Sequence, residues 1–216
     1  MLLMAHNALD SETALRWLHN CAETFVQHKD ELTALDAAIG DADHGANMAR
    51  GFTAVEGKLA GLAGKDLGII FKTTAMTLIS TVGGASGPLY GTFFLQAATA
   101  AAGKMELTTV ELADVFDKGL QGLMNRGKAV VGEKTMIDAL VPAIAALHPH
   151  DDDSLAATIG RAVAAAGQGA DSTIPLVAKK GRASYLGERS AGHLDPGAAS
   201  SVLLLKALQQ AVAFSP

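Results

Sequence analysis

The 216 residues are 49% hydrophobic, enough to bury a sizeable core, and one compact domain spanning 1–216 is expected. A formal net charge of -5, from 17 basic and 22 acidic residues, lacks the basic footprint that nucleic-acid binding requires. The single cysteine, Cys21, excludes an internal disulfide and a thiolate metal cage and suits the cytoplasm; the N-terminal MLLMAHNALD shows no signal pattern, and no apolar run reaches membrane-spanning length.

Aromatic residues make up only 5%, while alanine and leucine recur throughout, a composition that favours helices because both lose little side-chain freedom there. From Ser11 to His28, the residues Ala14, Leu18, Cys21 and Phe25 share one helical face, with Asp10 or Ser11 placed to cap the first turn. A short second helix carries Leu32 and Leu35. Past the polar, glycine-containing stretch Gly40 to Gly45, helical spacing resumes at Met48, Phe52, Val55 and Leu59. The segment Leu67 to Val82 is too apolar for a surface helix and stops at Gly83-Gly84, and the next helix is expected to begin at Pro88. Ala113, Phe116, Leu120 and Leu123 mark another, as do Ile137, Leu140, Ile144 and Leu147, then Leu155 to Ala170 and Ala198 to Phe214. No segment alternates with period two, so the fold class is all-α, a bundle of about eight helices. Trp17 and the methionines at helical spacing read as core fillers.

The chemistry concentrates in the string Asp36-Ala37-Ala38-Ile39-Gly40-Asp41-Ala42-Asp43-His44-Gly45-Ala46-Asn47, at a helix end and the loop that follows. Two unpaired carboxylates about 4 Å apart repel by about 4 kcal/mol at an effective dielectric of about 20, so three that converge need a cation. Oxygen-only ligation favours Mg2+ or Ca2+ over zinc, and magnesium commonly joins carboxylates to phosphate oxygens, which makes phosphate the missing ligand. Otherwise these aspartates would cap a helix and solvate a turn. An EF-hand is rejected: counting from Asp41, its glycine falls on Ala46 and its final glutamate on Phe52. His44 can donate to a phosphate oxygen, and Asn47 is expected to open the next helix, where free amides favour anions.

Gly83-Gly84-Ala85-Ser86-Gly87-Pro88 is a small-residue loop leading into a helix, suited to the close approach of phosphate, although tight helix packing uses the same residues. Gly127-Lys128-Ala129-Val130-Val131-Gly132-Glu133-Lys134-Thr135 nearly spells a Walker A loop, but Glu133 intrudes and no strand precedes it, so a flank for base or ribose is the better reading. In the basic stretch from Lys179 to Ser190, Arg182 or Arg189 can clamp a diphosphate or a transferring phosphoryl group. His148-Pro149-His150-Asp151-Asp152-Asp153 reads as a solvated connector.

Together, IGDADHGANM, VGGASGPLYGTFF, RGK followed by GEKTMIDAL, and GRASYLGERSAGHLDPGA resemble, in order, the nucleotide-binding L subunits of the dihydroxyacetone kinase family. The resemblance implies an eight-helix up-and-down barrel with the nucleotide at one end, its phosphates tied through two magnesium ions to Asp36, Asp41 and Asp43. It implies that His44, Gly45, Ala46, Asn47, Ala85 and Ser86 approach the phosphates and that Gly127 and Met136 lie near the nucleoside. Arg182 and the turn Asp195-Pro196-Gly197 complete the pocket, with Arg182 and His44 as the catalytic pair.

In such systems a separate K subunit carries dihydroxyacetone on a histidine of its own. Nothing in this sequence resembles that unit, which favours the phosphoenolpyruvate-dependent form, where bound ADP is recharged by a histidine-phosphorylated M subunit. A homodimer or hetero-oligomer is expected. The competing readings are an ATP-dependent triose or tetrose kinase L subunit with exchanging nucleotide, an ADP-loaded partner of a transcription regulator, and a divalent-ion protein without nucleotide.

Overall fold

The computed structural model describes residues 7–148 and 154–213. A short strand β1 (Ala8–Asp10) precedes α1 (Ser11–Gln27), α2 (Lys29–Ile39), α3 (His44–Leu59), α4 (Leu67–Thr81) and α5 (Ser86–Ala100). Then come β2 (Glu106–Thr108), α6 (Thr109–Gly127), α7 (Met136–Ala145), α8 (Leu155–Asp171) and α9 (Pro196–Ala213). Two 3-10 segments, Ala60–Leu62 and Arg182–Ser190, lie in the connections.

Among the described residues, eight helices close a ring. Each of α1, α3, α4, α5, α6, α7, α8 and α9 packs on the next, and α9 returns to α1, as the resemblance implied. The ninth, α2, is inserted between α1 and α3 and packs on α3 and α9. The interior is filled by Trp17, whose ring centroid lies 5.6 to 6.1 Å from those of Phe71, Phe94 and Phe116. Its indole donates to the Leu204 carbonyl at 2.9 Å, so the one polar atom of this large side chain is satisfied inside the barrel. Cys21 is buried and free, and burial pushes its thiol well above the ordinary range.

Local chemistry fixes the helix ends. The Asp10 carboxylate accepts the Thr13 amide at 2.7 Å, settling which of the two expected residues caps α1. Thr108 with Glu111, and Thr135 with Asp138, form capping boxes at α6 and α7.

Several expectations are corrected. β1 and β2 pair antiparallel with Leu9 opposite Leu107, both buried, and three residues are too few to show a period. α3 begins at His44, three residues before Asn47, and α5 begins at Ser86, which leaves Pro88 in the first turn where its missing N–H costs nothing. Met48 is a core filler, but Met76 and Met105 are about half exposed, and Ile69 and Ile79 share the open face of α4 with Met76. The connector 149–153 and Phe214 lie outside the described residues. Among the described residues, no helix is long and apolar enough to cross a membrane.

Candidate functional site

α2 delivers Asp36 to one end of the barrel, where Gly40 terminates the helix and Ala42 adopts the left-handed conformation (φ 60°), folding the chain back into α3. A Cβ at Gly40 would collide with Asp36 Oδ1, so this turn requires the absence of a side chain. Asp36 Oδ2 accepts the amides of Asp43 (2.8 Å) and His44 (3.1 Å), neutralising two unpaired donors of the α3 N-terminus. Asp43 occupies the cap position of α3 but makes no side-chain capping bond. A side-chain capping role is thus seen for Asp36, while Asp41 and Asp43 are exposed carboxylates of the turn between α2 and α3.

Carboxylate oxygens of Asp36, Asp41 and Asp43 lie within 4.8 Å of one another. Asp36 is buried, the other two are exposed, and Arg182 Nε contacts Asp41 Oδ2 at 2.8 Å. One guanidinium against three acids leaves net negative charge there, and an all-oxygen donor set fits a hard divalent cation.

The Gly83–Ser86 loop faces this corner across a cavity of about 690 Å³. Gly84 has φ 64°, and a Cβ at Gly83 would press on the Asn47 side chain. Ser86 Oγ lies 3.1 Å from His44 Nδ1, and Ser200 Oγ lies 2.9 Å from His44 Nε2. Burial lowers the His44 pKa, with Asp36, Asp43 and a Pro196 backbone hydrogen bond acting in the opposite sense. An imidazole engaged at both nitrogens orients the Ser86 hydroxyl at the wall of the cavity.

The far end of the cavity is apolar, lined by Leu89, Leu123, Gly127, Ala129, Met136 and Ile137. Arg182 enters from the 3-10 segment, and Asp195, Pro196 and Gly197 close the remaining wall at the start of α9. Asp195 Oδ2 accepts the Ala198 amide at 2.7 Å. Burial pushes the Asp195 carboxyl up to about 7, against the lowering effect of that amide and of nearby Lys134.

The cavity thus collects Asp36, Asp41, Asp43, His44, Ala85, Ser86, Gly127, Met136, Arg182, Asp195, Pro196 and Gly197. It does not collect Gly45, Ala46 or Asn47 as lining residues. A Cβ at Gly45 would strike the Lys29 carbonyl and Thr33, so this glycine allows α3 to pack on α2. The Asn47 side chain accepts from Arg50, which also donates to the Thr81 carbonyl, bracing α3 against the end of α4. Sequence reasoning missed Leu89, Leu123 and Ser200. The two leucines look like any core position of a helix, and Ser200 lies 156 residues from its partner His44.

The DAK2 domain family matches residues 38–210. The chain belongs to the DAK2 family. Across this DAK2 chain, the "PEP-dependent dihydroxyacetone kinase, ADP-binding subunit DhaL" of Escherichia coli K12 is 47% identical over 203 residues, 93% of this chain and 97% of the relative. The "PTS-dependent dihydroxyacetone kinase, ADP-binding subunit DhaL" of Lactococcus lactis is 43% identical over 95% of this chain and 100% of its own length. The crystal structure of the C. freundii dihydroxyacetone kinase in complex with AMP-PNP and Mg2+ superposes with a TM-score of 0.70 at 26% identity. That match covers 91% of the DAK2 chain and 33% of the C. freundii chain, so this chain spans about a third of that enzyme.

Proposed function

We propose that residues 1–216 form one nucleotide-binding domain, the ADP-binding subunit of a phosphoenolpyruvate-dependent dihydroxyacetone kinase. The observation that carries this reading is the convergence of Asp36, Asp41 and Asp43 on one side of a cavity whose other side is the Gly83–Ser86 loop. Likeness over nearly the full length to subunits named ADP-binding supports ADP as the ligand.

Asp36, Asp41 and Asp43 would hold magnesium, two ions by family likeness, which supplies charge neutralisation to the phosphates. Ala85 and Ser86 meet the phosphates at the N-terminus of α5, where unpaired amides and the helix dipole favour negative charge. The amides of Gly45, Ala46 and Asn47 contribute to the same field from the first turn of α3. The base and ribose lie along Gly127, Met136 and the two leucines, and the Asp195-Pro196-Gly197 turn fixes the nucleoside side of the wall.

Arg182 is the group proposed to follow the transferring phosphoryl, since its guanidinium stands at the acidic corner and keeps its charge. His44 serves as its partner by orienting the Ser86 hydroxyl. The chain needs no nucleophile: it positions a phosphoryl donor between a phosphohistidine M subunit and dihydroxyacetone on a K subunit, in the cytoplasm, as a homodimer or hetero-oligomer.

Mass spectrometry of the natively purified chain should find one retained ADP, which K and M subunits together turn over without exchange into solution. Rapid exchange with ATP-driven turnover would favour the ATP-dependent reading. Full occupancy without turnover would favour a regulator's partner.

A further inference from the structure

Lys134 lies in the segment that nearly spells a Walker A loop and borders the cavity, and its ammonium is directed to backbone carbonyls. Its backbone is left-handed (φ 60°) and its side chain is buried. Nζ donates to the carbonyls of Thr173 (2.6 Å), Ile174 (3.4 Å) and His193. An ammonium has three N–H donors and no acceptor, so three carbonyls use its whole capacity.

The acceptors come from the two feet of one long excursion. Thr173 and Ile174 follow α8, and His193 shortly precedes α9. The same crossing is tied by the Gly192 amide to the Ile174 carbonyl (2.7 Å), the Asp195 amide to Thr173 Oγ1 (3.0 Å), and the Lys179 amide to the Glu133 carbonyl (3.1 Å). Asp138 and Asp195 are the acids that act on the ammonium, and each is already committed to a helix cap. The excursion carries Arg182 to the cavity, and its exit delivers Asp195, Pro196 and Gly197.

We propose that Lys134 is a positioning residue, an internal cation that pins both feet of the 173–193 excursion and thereby sets Arg182 and the Asp195–Gly197 turn against the cavity. A buried ammonium is tolerated only when fully hydrogen-bonded, and here that requirement fixes the spacing of three backbone segments. Methionine matches the length of lysine but donates nothing, and arginine's planar fork cannot converge on three carbonyls from one point.

The inference rests on the nucleotide-binding reading, and the test separates the two. In Lys134→Met, the Kd for ADP in excess Mg2+ should rise by about ten-fold or more, as expected when a charged donor to buried carbonyls is lost. Without nucleotide, hydrogen exchange should accelerate in 173–197 while α1, α3 and α4 keep their protection. An ADP affinity within about two-fold of the unaltered chain, or exchange that accelerates equally in every helix, overturns the proposal. If Lys134→Met does not fold, Lys134→Arg replaces it: weakened ADP binding with regional exchange supports the proposal, and unaltered affinity overturns it. An unaltered chain that binds no ADP would instead defeat the nucleotide reading, while the exchange measurement still judges Lys134.

Discussion

The Asp36 carboxylate accepts the Asp43 amide at 2.8 Å, so the residue near the end of α2 caps the helix at whose N-terminus Asp43 stands. The Asp43 carboxylate itself makes no capping bond. In the proposed function, two aspartates of one motif thus hold separable roles, Asp36 in folding and binding together and Asp43 in binding.

That separation predicts different stabilities. Asp36→Ala should destabilise the ligand-free protein by about 1–2 kcal/mol, because two amides of a helix terminus lose their acceptor. Asp43→Ala should change it by about 0.5 kcal/mol or less. Both should abolish ADP retention and the rise in melting temperature that bound ligand provides. Denaturant titration and native mass spectrometry read the two effects separately; equal destabilisation by both substitutions would contradict the assignment.

Arg182 is two-thirds exposed in its ion pair with Asp41, and such pairs contribute less than about 1 kcal/mol. Arg182→Ala should therefore melt near the unaltered chain, while phosphoryl transfer in the reconstituted system falls by about 100-fold, the loss typical of a preorganised donor. Arg182→Lys should recover only part of the rate, since it lacks the bidentate fork. Full rate in Arg182→Ala would remove this residue from the chemistry.

Gly45→Ala tests packing against phosphate approach. The added methyl meets the Lys29 carbonyl and Thr33, so thermal unfolding should show a loss of about 1–3 kcal/mol without ligand. A variant of unaltered stability that binds ADP poorly would place Gly45 at the phosphates instead.

The acidic motif was legible because it is local: Asp36, Asp41 and Asp43 fall within eight positions, and helix ends bring such neighbours together. The glycine loop was legible for the same reason, as Gly84 needs its positive φ regardless of the rest of the fold. The pairing of His44 with Ser200 was not, since closure of α9 against the barrel creates it. The intruding Glu133 discounts the Walker-like string, but where Lys134 goes instead was not legible. A lysine after glycines suggests a phosphate, but the left-handed backbone sends this one inward to carbonyls that only the tertiary fold assembles. The strand pair was invisible because three residues carry no period.

Asp195 makes stability depend on pH. In the unfolded chain its carboxyl ionises at the ordinary 3.8, whereas in the folded protein it holds its proton up to about 7. The stability contributed by protonated Asp195 is fully present below 3.8 and is lost as pH rises toward about 7. Asp195→Asn, which cannot ionise, should remove this decline. Melting curves of the ligand-free proteins from pH 4 to 7.5 check it, and parallel pH profiles for the two would show that Asp195 ionises normally.

The proposed function requires that Asp36, Asp41 and Asp43 grip a diphosphate by way of magnesium. Calorimetry of ADP binding to the nucleotide-stripped chain, with Mg2+ and with EDTA in its place, tests it most directly. Binding should be tight with Mg2+ and at least about 100-fold weaker in EDTA, as expected when the cation between the acids and a diphosphate is withdrawn. Equal affinity in the two conditions would contradict it.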